Sequence, residues 1–328
     1  MAKPGSRNAI TDVPGIQVGQ AHDESVRTGV TVILPDQRAA CGVDVRGGGP
    51  GTRETDAVQP HTLVDAIDAI VLSGGSSYGL AAADGVAAAL GSRRRGFELF
   101  PSPEIPVSPV VPAAILYDLA NGGDKDWGEA TPYPGLGREA LANVSGEVRE
   151  GRAGAGYGAS AGRLAGGVGT ASVVTHDGYT IGAIVAVNCF GSVRVPGSDA
   201  YWAAPYEIDN EFGGVPLPSG PFDPDDWGDA KFNPAAGTNT TIACIATDAV
   251  LDPAGCMRMA QMASAGFARA IRPVFTPLDG DTVFALATGG KEMAEPSAFT
   301  LSRLGSLAAD CLARAIAKGV HAAQAARA

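Results

Sequence analysis

The chain has 328 residues, 45% hydrophobic and 18% charged, with a formal net charge of −11; it can bury a large core as one large domain or two ordinary ones. The acidic balance argues against nucleic acid as a main partner, because phosphate binding needs a basic surface. No run of about 18 apolar residues is present and Met1 to Arg7 lack an apolar signal region, so no membrane segment is expected and the cytoplasm is the default address. Five cysteines, Cys41, Cys189, Cys244, Cys256 and Cys311, are scattered without C-x-x-C spacing and read as buried reduced thiols. Four histidines without an H-x-x-x-H pair point to no metal site, and no organic cofactor is implied.

In chain order, residues 16–20, 29–35 and 41–45 read as short strands. A Gly-rich turn follows at 47–51. Residues 69–72 are an apolar strand and Gly79 to Leu90 an Ala-rich helix. Arg93-Arg94-Arg95 then falls at a helix C-terminus, where cations favour the dipole. Residues 100–115 are Pro-rich and extended, and 121–137 loop-like, with a short helix near 137–143. Residues 171–175 and 180–188 form a hairpin, with His176-Asp177-Gly178 supplying a turn that favours a two-residue loop. Residues 195–236 are a long loop rich in Pro, Gly and Asp. A strand over 241–247 follows, then a helix to about Ile271 with Asp252 as N-cap and Pro253 at its first position. Residues 282–288 form another strand. Leu301, Leu304, Ala308, Cys311 and Ala315 keep helical spacing in a final amphipathic helix. Strands alternate with helices in parts and cluster in others, which is a mixed α/β or α+β class.

Gly237-Thr238-Asn239-Thr240-Thr241-Ile242 joins the long loop to a buried strand. If the backbone there is strained, the Thr240 hydroxyl can attack the Asn239 carbonyl and shift the acyl group from nitrogen to oxygen. Hydrolysis of that ester frees the Thr240 amine. Such an α-amine, with a pKa of roughly 7.7 to 8, is a built-in base for the threonine nucleophile. The alternative is that Asn-Thr-Thr merely opens a strand. Asp279-Gly280-Asp281 has two readings as well. It is a solvated turn, or a carboxylate pair on one face at a strand start, able to orient an ammonium. Asn188 ends its strand and can donate to a tetrahedral oxyanion or cap the turn at 189–191. A rival nucleophile is Ser77 in Gly75-Ser76-Ser77-Tyr78-Gly79, which fits G-x-S-x-G between strand and helix. That reading describes an α/β-hydrolase esterase with His176 or His321 as partner.

The chain resembles the DmpA-type aminopeptidase family, self-processing hydrolases that include D-aminopeptidases, β-aminopeptidases and nylon-oligomer hydrolases. The resemblance runs from Ala9 to the C-terminal helix. It is carried by 45–56, 71–80, Gly154-Ala155-Gly156, 166–170, Asn239-Thr240-Thr241-Ile242 and 278–284 in that order. It implies a single domain over 1–328 built as a layered α-β-β-α sandwich, cut into a larger fragment 1–239 and a smaller one 240–328. It implies cleavage of amide bonds in small peptides or peptide-like amides, with Thr240 as nucleophile, Asn188 at the oxyanion, and Asp279 and Asp281 holding the amine. The acidic pair matches the nylon-hydrolase branch; the β-aminopeptidase branch has a hydroxyl and a Glu there. Arg163 lies where nylon hydrolases carry a lysine, but cannot serve as a neutral base. Tyr78 and Tyr157 are pocket candidates, or packing residues beside glycines. A homo-oligomer of cleaved units, as a tetramer, is expected. A degenerate, non-enzymatic binding protein on the same scaffold is the remaining alternative.

Overall fold

The computed structural model describes residues 2–231, 239–295 and 297–325. In chain order the strands are β1 (Ile16–Asp23), β2 (Thr28–Pro35), β3 (Ala40–Val45), β4 (Thr52–Arg53), β5 (Ile70–Ser73), β6 (Ala113–Ile115), β7 (Ser160–Ala161), β8 (Leu164–Ala165), β9 (Gly167–Val174), β10 (Thr180–Asn188), β11 (Thr240–Ala249) and β12 (Thr282–Lys291). The α-helices are α1 (Ala82–Ser92), α2 (Tyr133–Ala142), α3 (Pro253–Ala263), α4 (Ala265–Ala270) and α5 (Ser297–Ala325).

Two five-stranded sheets form, in the orders β1-β2-β5-β6-β4 and β3-β12-β11-β10-β9. Ile242, Cys244 and Ala246 point from β11 into the layer between the sheets, where Val18, Ile33, Ile70, Leu72, Ile184 and Phe284 meet them. The alternate residues Ala243 and Ile245 face the opposite way, against α3, α4 and α5. Both faces of β11 are therefore buried, and for that reason it reads as an unbroken apolar run and not as an alternating one. On the other sheet, Val30, Val32 and Val71 pack on α1 and α2 through Val86, Leu90 and Leu136. The result is the expected four layers, helix-sheet-sheet-helix. All five cysteines are buried and unpaired within them.

Several local expectations change in detail. The β9–β10 loop has three residues, not two: Thr175 pairs with Tyr179 through its amide (2.8 Å) and its hydroxyl. Gly178 takes the positive φ (+86°) that such a loop requires. The helix expected near 137 begins earlier, at Tyr133, with Pro134 in its first turn. The helix after Asp252 starts as expected, the carboxylate accepting from Gly255 N at 2.7 Å. It breaks at Ser264, whose hydroxyl reaches Asp44 (2.6 Å) and Ala260 O. The last helix is amphipathic only in its first half; from Cys311 to Val320 every residue is buried. The cause is the long loop, which lies over it and places Glu211 on Arg314 and Tyr201 beside His321. A Cβ on Gly169 would lie 1.9 Å from Ala315 O, so β9 and α5 meet backbone to backbone. Within 195–231 only a single 3-10 turn, Ala204–Tyr206, interrupts the irregular course. Residues 232–236 of the expected loop, and Gly237 and Thr238 of the processing motif, lie outside the described residues. Of the three arginines after α1, Arg94 and Arg95 serve local structure, donating to the carbonyls of Ser102 and Asp68 respectively. No helix among the described residues is long and apolar enough to cross a membrane.

Candidate active site

The pairing of β11 with its neighbours builds the site. Antiparallel register sets Asn188, the last residue of β10, opposite Thr240, the first of β11. Parallel register with β12 sets Ile242 against Thr282, and one bridge further back sets Asn239 beside Asp279. Three segments far apart in sequence thereby meet at one sheet end.

Asn239 and Thr240 are each only 2% exposed. The Thr240 hydroxyl donates to the Asn239 carbonyl oxygen at 2.5 Å, across the bond it would have to attack. The same carbonyl oxygen accepts from Gly280 N at 2.8 Å, and Asn239 N donates to Leu278 O at 2.7 Å. The Gly280 N–H is thus placed to stabilise negative charge on the Asn239 oxygen. Glycine is needed at 280 because a Cβ there would come within 2.6 Å of Gly49 O and 2.8 Å of the Thr240 hydroxyl.

The two carboxylates flank this point. Asp281 accepts from Thr241 N (2.8 Å) and Phe275 N (3.3 Å). Asp279 accepts from Phe190 N (3.1 Å), Thr276 N (3.3 Å) and the Thr276 hydroxyl. Burial pushes both carboxyls above the usual carboxylate range, and for Asp281 the charge of Asp279 adds to it. The solvated-turn alternative does not hold: both are buried and hydrogen-bonded.

Asn188 is buried, with its amide donating to Tyr117 O (3.0 Å) and its side-chain oxygen accepting from Ser160 N (3.0 Å). It pins the strand end and the cleft wall. The sequence does not mark the Gly280 N–H as a donor to the Asn239 carbonyl. Nor does it mark Lys231. Its ammonium lies 2.7 Å from the Asn239 side-chain oxygen and 3.3 Å from Asn188 O. Burial lowers its pKa to about 8, against the opposing influence of Cys189 and Asp279. A lone lysine in an irregular segment carries no sequence signal. Arg163, the expected cation, is exposed in the β7–β8 turn, where its N–H braces Asp229 O at 2.7 Å.

A cleft of about 390 Å³ opens onto Thr240, walled by Gly49, Pro50, Ser76, Leu80, Ile115 and Tyr117. Of the expected pocket aromatics, Tyr78 turns to Trp127 at a ring separation of 5.7 Å, and Tyr157 stacks on His22 at 4.3 Å. Tyr117 supplies the aromatic wall instead. Ser77 also borders the cleft, but exposed and in a 3-10 turn. The left-handed residues of that turn are Gly75 and Ser76, so Ser77 is not the strained residue of a nucleophile elbow. Its expected partners lie elsewhere: His176 in the β9–β10 loop beside Asp177, and His321 on α5 against Tyr201.

Residues 8–328 match the model of peptidase family S58, and the chain belongs to that family. An uncharacterized aminopeptidase of Mycobacterium tuberculosis is 43% identical over 97% of this chain and 94% of its own. A 6-aminohexanoate-oligomer endohydrolase of Kocuria sp. is 34% identical over 84% of this chain and 74% of that protein. Among solved structures, a Burkholderia sp. β-aminopeptidase superposes with a TM-score of 0.71 at 25% identity, covering 97% of this chain and 88% of that one. The L-aminopeptidase D-Ala-esterase/amidase of Ochrobactrum anthropi shares the fold, with a TM-score of 0.69 at 21% identity over 98% and 88% of the two chains. The protein is therefore a hydrolase of amide bonds, of the aminopeptidase and amidohydrolase type. The Ser77 esterase reading falls, because two stacked, largely antiparallel sheets are not the α/β-hydrolase sheet. The non-enzymatic reading falls with it.

Proposed function

We propose that the chain cuts its own Asn239–Thr240 bond and then works as a threonine amidohydrolase on small peptides or peptide-like amides. The observation that carries this is the Thr240 hydroxyl 2.5 Å from the Asn239 oxygen, which Gly280 N holds from its other side at 2.8 Å. In the first reaction the Thr240 oxygen adds to the Asn239 carbonyl carbon. The carbon–nitrogen bond breaks, and the hydroxyl proton ends on the Thr240 amine. Water then opens the ester, leaving an Asn239 carboxyl group and a free N-terminal Thr240.

In the second reaction the same hydroxyl attacks the substrate carbonyl while the new amine takes its proton; that proton then passes to the leaving amine as the substrate carbon–nitrogen bond breaks, which leaves the acyl group as an ester on Thr240. In this reading Asp279 and Asp281 hold that ammonium, and Asn188 keeps the strand end and Tyr117 in place. Water releases the acyl-enzyme. The cleft wall carries no ionisable side chain besides Tyr117 among the described residues, which favours uncharged amide segments; nylon-like oligomers and short peptides both satisfy this. Assembly of the cleaved units into a homo-oligomer, as a tetramer, belongs to the same reading and rests on the family resemblance.

Intact mass and N-terminal sequencing test the proposal. Two fragments are expected, 1–239 and 240–328, the second beginning Thr-Thr-Ile. Thr240→Ala should remain one chain and be inactive on a chromogenic amide. A fully active wild type that stays intact would refute it.

A further inference from the structure

Three contacts to described residues hold Asn239. Its N–H donates to Leu278 O, its carbonyl oxygen accepts from Gly280 N, and its side-chain oxygen accepts from Lys231 at 2.7 Å. The first two contacts are backbone bonds that any residue at 239 would make. The third depends on the side chain. Lys231 precedes Asn239 by eight residues in the same chain, and its own N–H is stitched to Phe190 O at 2.9 Å, at the end of β10. A buried ammonium is costly unless its donors are used. Here they are spent on Asn239 Oδ1, on Asn188 O and, at 3.5 Å, on Asn188 Oδ1. One cation therefore ties the residue that supplies the scissile carbonyl to the strand residue that lies opposite the nucleophile.

We propose that Lys231 is the positioning residue of self-cleavage: its ammonium clamps the Asn239 side chain and so locks the Asn239 carbonyl between Gly280 N and the Thr240 hydroxyl. The clamp gives a physical reason for asparagine at this position, since a short side chain with an acceptor oxygen is what reaches Nζ. Lys231 makes no bond in the reaction. It narrows the rotations of Asn239 to the one in which attack is in line, which is where orientation lowers a barrier. This inference rests on cleavage at Asn239–Thr240.

The test is timed intact mass of the full chain after a pulse of cell-free synthesis. Wild type and Thr240→Ala are run first. A wild type that never cleaves refutes the cleavage reading itself, separately from the clamp. Given cleavage, Lys231→Met and Asn239→Ala should each slow it by about tenfold or more, the size expected for one charge-assisted hydrogen bond. The double variant should be no slower than the slower single, because both remove the same contact. Lys231→Arg, which keeps a cation, should recover part of the rate lost in Lys231→Met. Cleavage of Lys231→Met at the wild-type rate overturns the proposal. So do multiplying effects in the double variant, or an arginine no better than methionine. Folding is checked by melting each variant in the Thr240→Ala background. If Lys231→Met does not fold, the Asn239→Ala rate decides: a wild-type rate overturns the clamp, and a tenfold loss supports it.

Discussion

Asp279 and Asp281 are buried two residues apart on one strand start, and the fold holds both above the ordinary carboxylate range. A carboxyl raised in the folded state binds its proton more tightly there than in the unfolded chain. Its contribution to stability is therefore complete below the ordinary value of 3.8 and is lost as pH rises through the folded value. Asparagine at 281 cannot ionise and escapes that loss. In the uncleaved Thr240→Ala background, the melting temperature of Asp281→Asn relative to its parent should rise by about 2 °C or more between about pH 5 and about pH 9. A gap that does not move with pH would mean that Asp281 titrates normally. At this scale the sequence was readable where chemistry is local. Asn239-Thr240 and Asp279-Gly280-Asp281 are each a few adjacent residues whose functional groups offer a reaction beside an inert alternative, and the family resemblance decides between the two. Lys231 was not readable, because its role comes from meeting Asn188 and Asn239 in space. Arg163 owes its expected cationic role to the family resemblance, and the fold leaves it exposed in the β7–β8 turn.

Among the elements, α5 shows how a long-range contact overrides a periodic pattern. Its spacing reads as amphipathic, yet Arg314 in its second half is 1% exposed. The guanidinium makes a two-pronged pair with Glu211 of the long loop, and donates to Asn8 Oδ1 (2.8 Å) and Ser172 O (3.0 Å). Loop, N-terminal segment and β9 are thus bolted to one helix by one side chain. Breaking a buried pair by removing one partner leaves the other charge stranded, at a cost of about 3–5 kcal/mol. Arg314→Met in the Thr240→Ala background should lower the urea midpoint accordingly, and Glu211→Gln should lower it less because Gln still accepts. A loss below about 1 kcal/mol for Arg314→Met would put this contact among the weak surface pairs. Strand and helix positions were legible from apolar runs, turn residues and the Asp252 cap. The stacking of two sheets was not: β11 is apolar on both faces, and periodicity does not say whether a helix or a second sheet covers each one. Only the family resemblance supplied the layering in advance.

For the whole molecule, the proposed cut does not fall between two bodies. Fragment 240–328 would carry β11, β12, α3, α4 and α5, and fragment 1–239 the other sheet, α1, α2, β3, β9 and β10. β11 lies in the middle of its sheet, bonded to β10 of the larger fragment on one side. Its partner β12 is bonded to β3 of the larger fragment on its far side. Both faces of this pair enter cores that mix the two fragments: Ile242 and Phe284 meet Ile33 and Leu72, and Ile245 with Leu312 meets Ile181 and Val185. Separating the pieces would break two strand pairings and expose these apolar surfaces, the latter at roughly 25 cal/mol for each Å² of apolar area. Cleavage should therefore leave one particle. Fully processed protein should run on a native sizing column at the volume of uncleaved Thr240→Ala and show two bands only after denaturation. It should keep its activity through dilution, because association is part of the fold and not a separate binding step. Elution of a free smaller fragment, or activity that falls with dilution, would show that 1–239 and 240–328 are held by less than the shared sheet and cores described above.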